Sequence, residues 1–202
     1  MRFKLLIFYS LKLILLTNIT FGQTYSEQNK KCSEILKDVP IGDSIFWEKL
    51  DLRNKCLLGL KAPNFSVKTL DKELIDIESL KGKVLFLNFW FTKCKPCIKE
   101  MPLLNKLKTS FKDKDILFLS FANEDSTKIS EFLKTTRFNF KHIPNGGRIL
   151  IDTFKLFSIW PTTIIIDKEG IIRFIKDGEL NDKIDFHKKL ITNLLRQKLL
   201  PT

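Results

Sequence analysis

Cysteines, histidines and long apolar runs are all scarce in this chain of 202 residues, and each shortage removes a class of function. The four cysteines, at positions 32, 56, 94 and 97, contain only one close pair. A structural zinc site usually takes two closely spaced knuckles of ligands, so zinc does not fit this spacing. The two histidines, His142 and His187, stand far apart in sequence and are expected to be solvated side chains. The Pro-x-x-x-Thr/Ser-x-x-Cys arrangement of a thiol peroxidase is missing. There is no internal repeat and no low-complexity tract, and past residue 16 no apolar run is long enough to span a bilayer. Basic residues outnumber acidic ones by twelve, yet the lysines are scattered singly, without a stripe interleaved with aromatics. That charge reads as a solvated, lysine-rich surface, and no nucleic-acid partner is expected.

What is present suits one folded domain with extra sequence: 44% hydrophobic residues, 29% charged, and 18 phenylalanines for a core. Residues 1–22 read as a secretory signal peptide. Arg2 and Lys4 precede Leu5-Leu6-Ile7-Phe8-Tyr9 and Leu13-Ile14-Leu15-Leu16, and polar or small residues lead to Gly22, a plausible cleavage point. An uncleaved membrane anchor is the alternative; either way the domain sits outside the cytoplasm, in the periplasm. No cysteine ends this segment, which argues against a lipoprotein anchor. Residues 23–59 form a mixed N-terminal extension with two helix-like stretches, Ser33–Lys37 and Ile45–Leu50.

The main domain is expected over residues 60–200. Phe65, Val67 and Thr69 alternate, Leu70-Asp71-Lys72-Glu73 turns, and Leu74, Ile75 and Ile77 return, a hairpin pattern. Val84–Trp90 and Ile116–Phe121 are near-continuous apolar runs, as expected of strands buried on both faces. Between them Ile98, Met101, Leu104, Leu107 and Phe111 recur at helical spacing. A helix through Ile129, Phe132 and Leu133 follows. Ile164–Ile166 and Ile171–Ile175 flank the turn Asp167-Lys168-Glu169-Gly170, and Ile184, Ile191, Leu194 and Leu195 mark a closing amphipathic helix. This order predicts an α/β fold, a mixed sheet with helices on both faces.

Cys94-Lys95-Pro96-Cys97 sits where a buried strand hands over to a helix. A sulfur at a helix N-terminus meets unpaired backbone N–H groups and the positive end of the dipole, and both favour the thiolate. Lys93 and Lys95 push the same way. Cysteines so placed titrate at roughly 3.5–7.5 rather than about 8.5, and the thiolate is the nucleophile. Pro96 fits a first turn, where its missing N–H costs nothing. Cys97, inside the helix, is expected to be buried and to resolve the mixed disulfide formed at Cys94, whose sulfur is expected to face solvent.

Asn88-Phe89-Trp90-Phe91-Thr92-Lys93-Cys94-Lys95-Pro96-Cys97 followed by Glu100-Met101-Pro102 resembles the active-site block of the TlpA/ResA branch of thioredoxin-like proteins. Ala62-Pro63-Asn64-Phe65 resembles the start of that domain, and Pro161-Thr162-Thr163-Ile164-Ile165-Ile166-Asp167 its cis-proline loop and following strand. The resemblance runs from Leu60 to about Gly178. It implies a thioredoxin-like fold with an N-terminal β-hairpin, and an exported thiol–disulfide oxidoreductase, usually a reductant serving client proteins with cysteines or disulfides. It further implies a membrane thiol electron donor, no cofactor, and action as a monomer. By position, Pro161 becomes the cis-proline facing the Cys94/Cys97 redox disulfide, with Trp160, Pro161, Lys95 and Pro96 lining the client surface. Trp160 replaces a usually small residue; it either narrows that surface or simply packs.

Glu100 matches a buried acid of the ResA group that handles the resolving thiol's proton; the alternative is an acid complementing the helix dipole. Thioredoxins proper carry an aspartate where Asn88 stands, which passes any acid–base role to Glu100 or water. Lys93 replaces a usual tryptophan, which favours the thiolate and makes the disulfide a somewhat stronger oxidant. Cys32 and Cys56 form a structural disulfide in the simplest reading, with a second redox pair or unpaired thiols as alternatives. A copper carrier or a non-catalytic interaction domain is the rival function. Copper carriers typically add a histidine near the loop that here holds Trp160 and Thr162.

Overall fold

The computed structural model describes residues 24–180 and 184–198. The expected signal segment therefore lies outside the described residues. The centre is a five-stranded sheet built from β3 (Val84–Trp90), β4 (Ile116–Ala122), β5 (Lys141–Ile143), β6 (Thr162–Ile166) and β7 (Ile172–Asp177), in the order β5-β4-β3-β6-β7. β3 runs parallel to β4 and β4 to β5, while β6 is antiparallel to both β3 and β7. The sheet is mixed, and its central strand is buried at all seven positions, as its unbroken apolar run requires.

Alternation along β3 divides two cores. Leu85, Leu87 and Phe89 join Leu119, Phe121, Ile164 and Ile166 on one face. Val84, Phe86 and Trp90 join Phe118 and Ile165 on the other. The second face is covered by the main-domain helices α3 (Lys95–Ser110), α4 (Ser126–Thr135) and α5 (Ile184–Arg196), through residues such as Met101, Leu104, Ile129 and Ile191.

The first face is covered by other elements, with the extension supplying its helices. It lies under the hairpin β1 (Ser66–Lys68) and β2 (Leu74–Asp76), the π-helical turn Ile149–Thr153, and the extension. The extension folds into α1 (Tyr25–Ser33) and α2 (Phe46–Cys56) and inserts Tyr25, Cys32 and Leu57 into this core. A small satellite cluster of Leu36, Phe46 and Leu50 packs on Phe157 and Ile159, just ahead of Pro161. A Cys32–Cys56 disulfide, with Cα atoms 5.8 Å apart, staples α1 to α2.

Both histidines are buried, which corrects the expectation that they are solvated. β5 turns the His142 ring inward, where Nδ1 lies 3.0 Å from Ser120 Oγ and Nε2 2.9 Å from the Phe138 carbonyl. With both ring nitrogens paired, burial is tolerable, and it holds the His142 pKa below its usual value. His187 packs against the rings of Phe174 and Phe186. β5 itself is three residues long and edge-placed, too short for a period to show in sequence.

Candidate active site

β3 ends at Trp90 and α3 begins at Lys95, so the cysteine pair occupies a short strand-to-helix connection. Cys94 is the N-cap: its backbone is extended and its Sγ accepts the Cys97 N–H at 3.2 Å, where a serine or aspartate oxygen would ordinarily stand. Pro96 lies in the first turn and forfeits no helical hydrogen bond. Cys94 and Cys97 form a disulfide with Cα atoms 5.3 Å apart. Both are buried. At 3% exposure, Cys94 does not present its sulfur openly to solvent as expected. In the disulfide state the sulfur is folded back onto the helix start, inside the apolar cluster against which Phe91 and Trp160 pack.

The antiparallel register Phe89↔Thr162 brings the start of β6 beside the end of β3. The connection after Trp90 and the Trp160-Pro161 bond, which is cis, therefore share one end of the sheet. Trp160 is half-buried and stands edge-on to Phe91 at 6.0 Å; its indole N–H donates to Ser158 Oγ at 3.0 Å. Gly147 makes room for it, since a Cβ there would lie 3.1 Å from the indole and overlap the Asn123 side chain. Lys93 and Lys95 are exposed and Pro96 is half-buried.

Glu100 follows Cys97 by three residues, so the two share a helix face. It is 5% exposed. One carboxylate oxygen accepts the Asn88 side-chain amide at 2.9 Å and the other the Leu180 backbone N–H at 3.1 Å. Burial pushes its pKa up to about 7, against the opposing pull of those two hydrogen bonds. Glu100 is therefore not a solvated carboxylate at the helix start. Asn88 also donates to Thr163 Oγ at 3.3 Å, a partner with no signal in the sequence. A second contact escapes sequence reading: Glu124 accepts both the Thr92 N–H (3.0 Å) and its hydroxyl (2.8 Å), anchoring the connection before Cys94. Among the described residues no three His, Cys, Asp or Glu side chains gather to hold a metal ion.

The profile of the AhpC/TSA family matches residues 58–175, more than half of the chain. The chain belongs to the AhpC/TSA family. The ResA thiol–disulfide oxidoreductase of Bacillus cereus is 33% identical over 154 residues, covering 75% of this chain and 88% of that protein. The thioredoxin-like protein YneN of Bacillus subtilis is 36% identical over 128 residues, 62% of this chain and 74% of its own. Among solved structures, a thiol:disulfide interchange protein of the thioredoxin family from Chlorobium tepidum superposes with a TM-score of 0.57 at 27% identity, over 67% of this chain and 95% of that one. This family member is a thioredoxin-fold thiol–disulfide oxidoreductase of the ResA type.

Proposed function

We propose that the chain acts outside the cytoplasm, in the periplasm, as a reductant of client disulfides, with Cys94 attacking and Cys97 resolving. The observation that carries this reading is the N-cap position of Cys94, whose sulfur receives a backbone N–H and faces the positive end of a sixteen-residue helix. Both features stabilise a thiolate. In the reduced protein the Cys94 thiolate attacks a client sulfur; an S–S bond forms between Cys94 and the client, and the client's other sulfur leaves as a thiolate. Cys97, giving its proton to the Glu100 carboxylate, attacks Cys94 Sγ; the client's second sulfur leaves and the Cys94–Cys97 disulfide closes. Two electrons from a membrane thiol donor return the pair to dithiol. Glu100, titrating near neutrality, is matched to taking that proton and releasing it again.

Trp160, Pro161, Lys95 and Pro96 form the surface on which a client segment lies. Because Cys94 retains so little exposure, productive docking displaces a neighbouring side chain, and half-buried Trp160 is the one suited to move. Cys32–Cys56 serves as a structural staple: Cys32 is fully buried in the first core, where no client thiol reaches it. Residues 1–22 deliver the protein through the membrane, residues 23–59 brace the domain that follows, and the protein works as a monomer. Among the described residues no helix is long and apolar enough to cross a membrane.

The test is a Cys97→Ser variant incubated with extracytoplasmic extract, read by non-reducing gels and mass spectrometry, together with a redox titration of the wild type against dithiothreitol. Mixed disulfides at Cys94 and a potential near thioredoxin's, about −270 mV, are expected. Full multi-turnover reduction by Cys97→Ser would refute the assigned roles, and a potential near −120 mV would make the protein an oxidant.

A further inference from the structure

The strap Phe154–Thr162, which delivers Trp160 and Pro161 to the cysteine pair, is held largely by the N-terminal extension. The Phe154 carbonyl accepts the Tyr25 hydroxyl at 2.6 Å and the Asn29 amide at 3.1 Å. The Lys155 carbonyl accepts Arg53 Nη2 at 2.6 Å, and the same guanidinium lies 5.9 Å from the centre of the Phe157 ring. Phe46 meets Phe157 edge-on at 6.1 Å. At the far end of the strap, Thr162 Oγ is 2.6 Å from the Ile159 carbonyl, which closes the turn around Pro161, and 2.6 Å from Asp177 Oδ1. Asp177 Oδ2 in turn accepts the Asn54 side-chain amide at 2.7 Å. Asn54, Thr162 and Asp177 are all buried.

Hydrogen counting sharpens this chain of contacts. Thr162 has one hydroxyl hydrogen for two acceptors, and the Ile159 carbonyl has none to offer. The hydroxyl is shared between the Ile159 carbonyl and Asp177 Oδ1, both of them acceptors. Burial raises the Asp177 pKa, against the opposing pull of the hydrogen bonds donated by Thr162 and Asn54 and of the Arg53 and Lys176 charges. Asp177 thus accepts from both Asn54 and Thr162 and ties α2 to the turn that Thr162 closes at Ile159.

We infer that the extension is a positioning device for the client-binding loop, with Asn54 and Asp177 as positioning residues acting on Thr162, and Arg53 acting on Lys155. The inference rests on the reading that clients lie along Trp160 and Pro161. It assigns the extension a task beyond covering a face of the sheet: residues from α2 set the shape of a loop belonging to the catalytic domain. It also places the Cys32–Cys56 staple, which joins the helices carrying Asn29 and Asn54, behind that loop.

The experiment uses the full chain, reduced beforehand, in single turnover against two disulfides. One is a fluorescent cystine peptide with four extended residues on each side; the other is dithiobis-nitrobenzoate, too small to read the loop. Asn54→Ala and Asp177→Ala are expected to lower the peptide rate constant, relative to the small-disulfide constant, by about fivefold, the worth of one hydrogen bond. Asp177→Asn is expected to restore the ratio to within about twofold, because an amide both donates to Thr162 and accepts from Asn54. Should Asp177→Ala not fold, Asn54→Ala and Thr162→Val carry the test, and their double variant should lower the ratio no further than either alone. An unchanged ratio in the folded variants, or equal loss toward both disulfides, overturns the inference alone. A wild type that reacts with the small disulfide and not the peptide overturns the client-docking reading and this inference with it.

Discussion

Asn88 in β3 donates its side-chain amide to Glu100 in α3 across 2.9 Å, tying the central strand to the helix that the cysteine pair initiates. This bond keeps a carboxyl group inside the apolar second core, one turn past Cys97, where among the described residues its oxygens accept from the Leu180 N–H and Asn88. The carboxylate is therefore costly when charged, and the cost shows in pH dependence.

Glu100→Gln removes that dependence. The carboxyl titrates near 4.5 when unfolded and about 7 when folded, so between those values the native state holds a proton the unfolded state has lost. Stability contributed by this group falls as pH rises through that window, by about 3 kcal/mol in all. Denaturant unfolding at pH 4.5 and 7.5 should show this slope in the wild type and its loss in Glu100→Gln. The pH profile of thiol alkylation should lose its inflection near 7 in the same variant, and an unchanged profile would detach Glu100 from Cys97.

The staple between α1 and α2 should matter for stability more than for chemistry. Cys32 and Cys56 are separated by 24 residues, and closing a loop of that size is worth about 3 kcal/mol. The double Cys32→Ser/Cys56→Ser variant should unfold at correspondingly lower urea concentration, while its single-turnover reaction with a small disulfide stays within about threefold of wild type. A large loss of that reaction without a loss of stability would make this pair a redox partner of Cys94–Cys97.

Gly147→Ala should destabilise the protein by about 1–3 kcal/mol, because the new methyl overlaps the Asn123 side chain and crowds the Trp160 indole. Displacing that indole should also speed alkylation of reduced Cys94. Trp160→Ala should speed it in the same way without the steric penalty, and identical rates in all three proteins would show that the indole does not limit access.

Thr92→Val deletes the 2.8 Å hydroxyl bond to Glu124 and leaves the backbone bond in place. A loss of about 1–2 kcal/mol is expected from unfolding curves, since the acceptor is a carboxylate. The connection to Cys94 should loosen, read as faster hydrogen exchange at Lys93 and Cys94. Wild-type exchange there would mean that the backbone bond alone suffices.

Much of the architecture is legible in composition and period. β3 and β4 announce themselves because strands buried on both faces need unbroken apolar runs, and α3 and α5 because their buried residues recur at helical spacing. The cysteine pair is equally plain, since Pro96 and the strand before it leave little choice but a helix start. The rest is set by contacts between residues far apart in the chain. His142 reads as a surface residue until Ser120 and the Phe138 carbonyl are seen to satisfy both its nitrogens. Arg53 and Asn54 read as the polar side of an ordinary helix, yet both are buried against backbone and side-chain acceptors more than a hundred residues away.

Local pattern, then, determined most of the elements, the cysteine pair at the start of α3 and the family to which the chain belongs, because those depend on neighbours in sequence. Tertiary structure alone decided that Glu100 is buried against Asn88, that Cys94 is nearly covered, and that the extension grips the loop carrying Pro161. Each depends on desolvation and on hydrogen-bond partners brought together by folding, and neither quantity is encoded in any single stretch of residues.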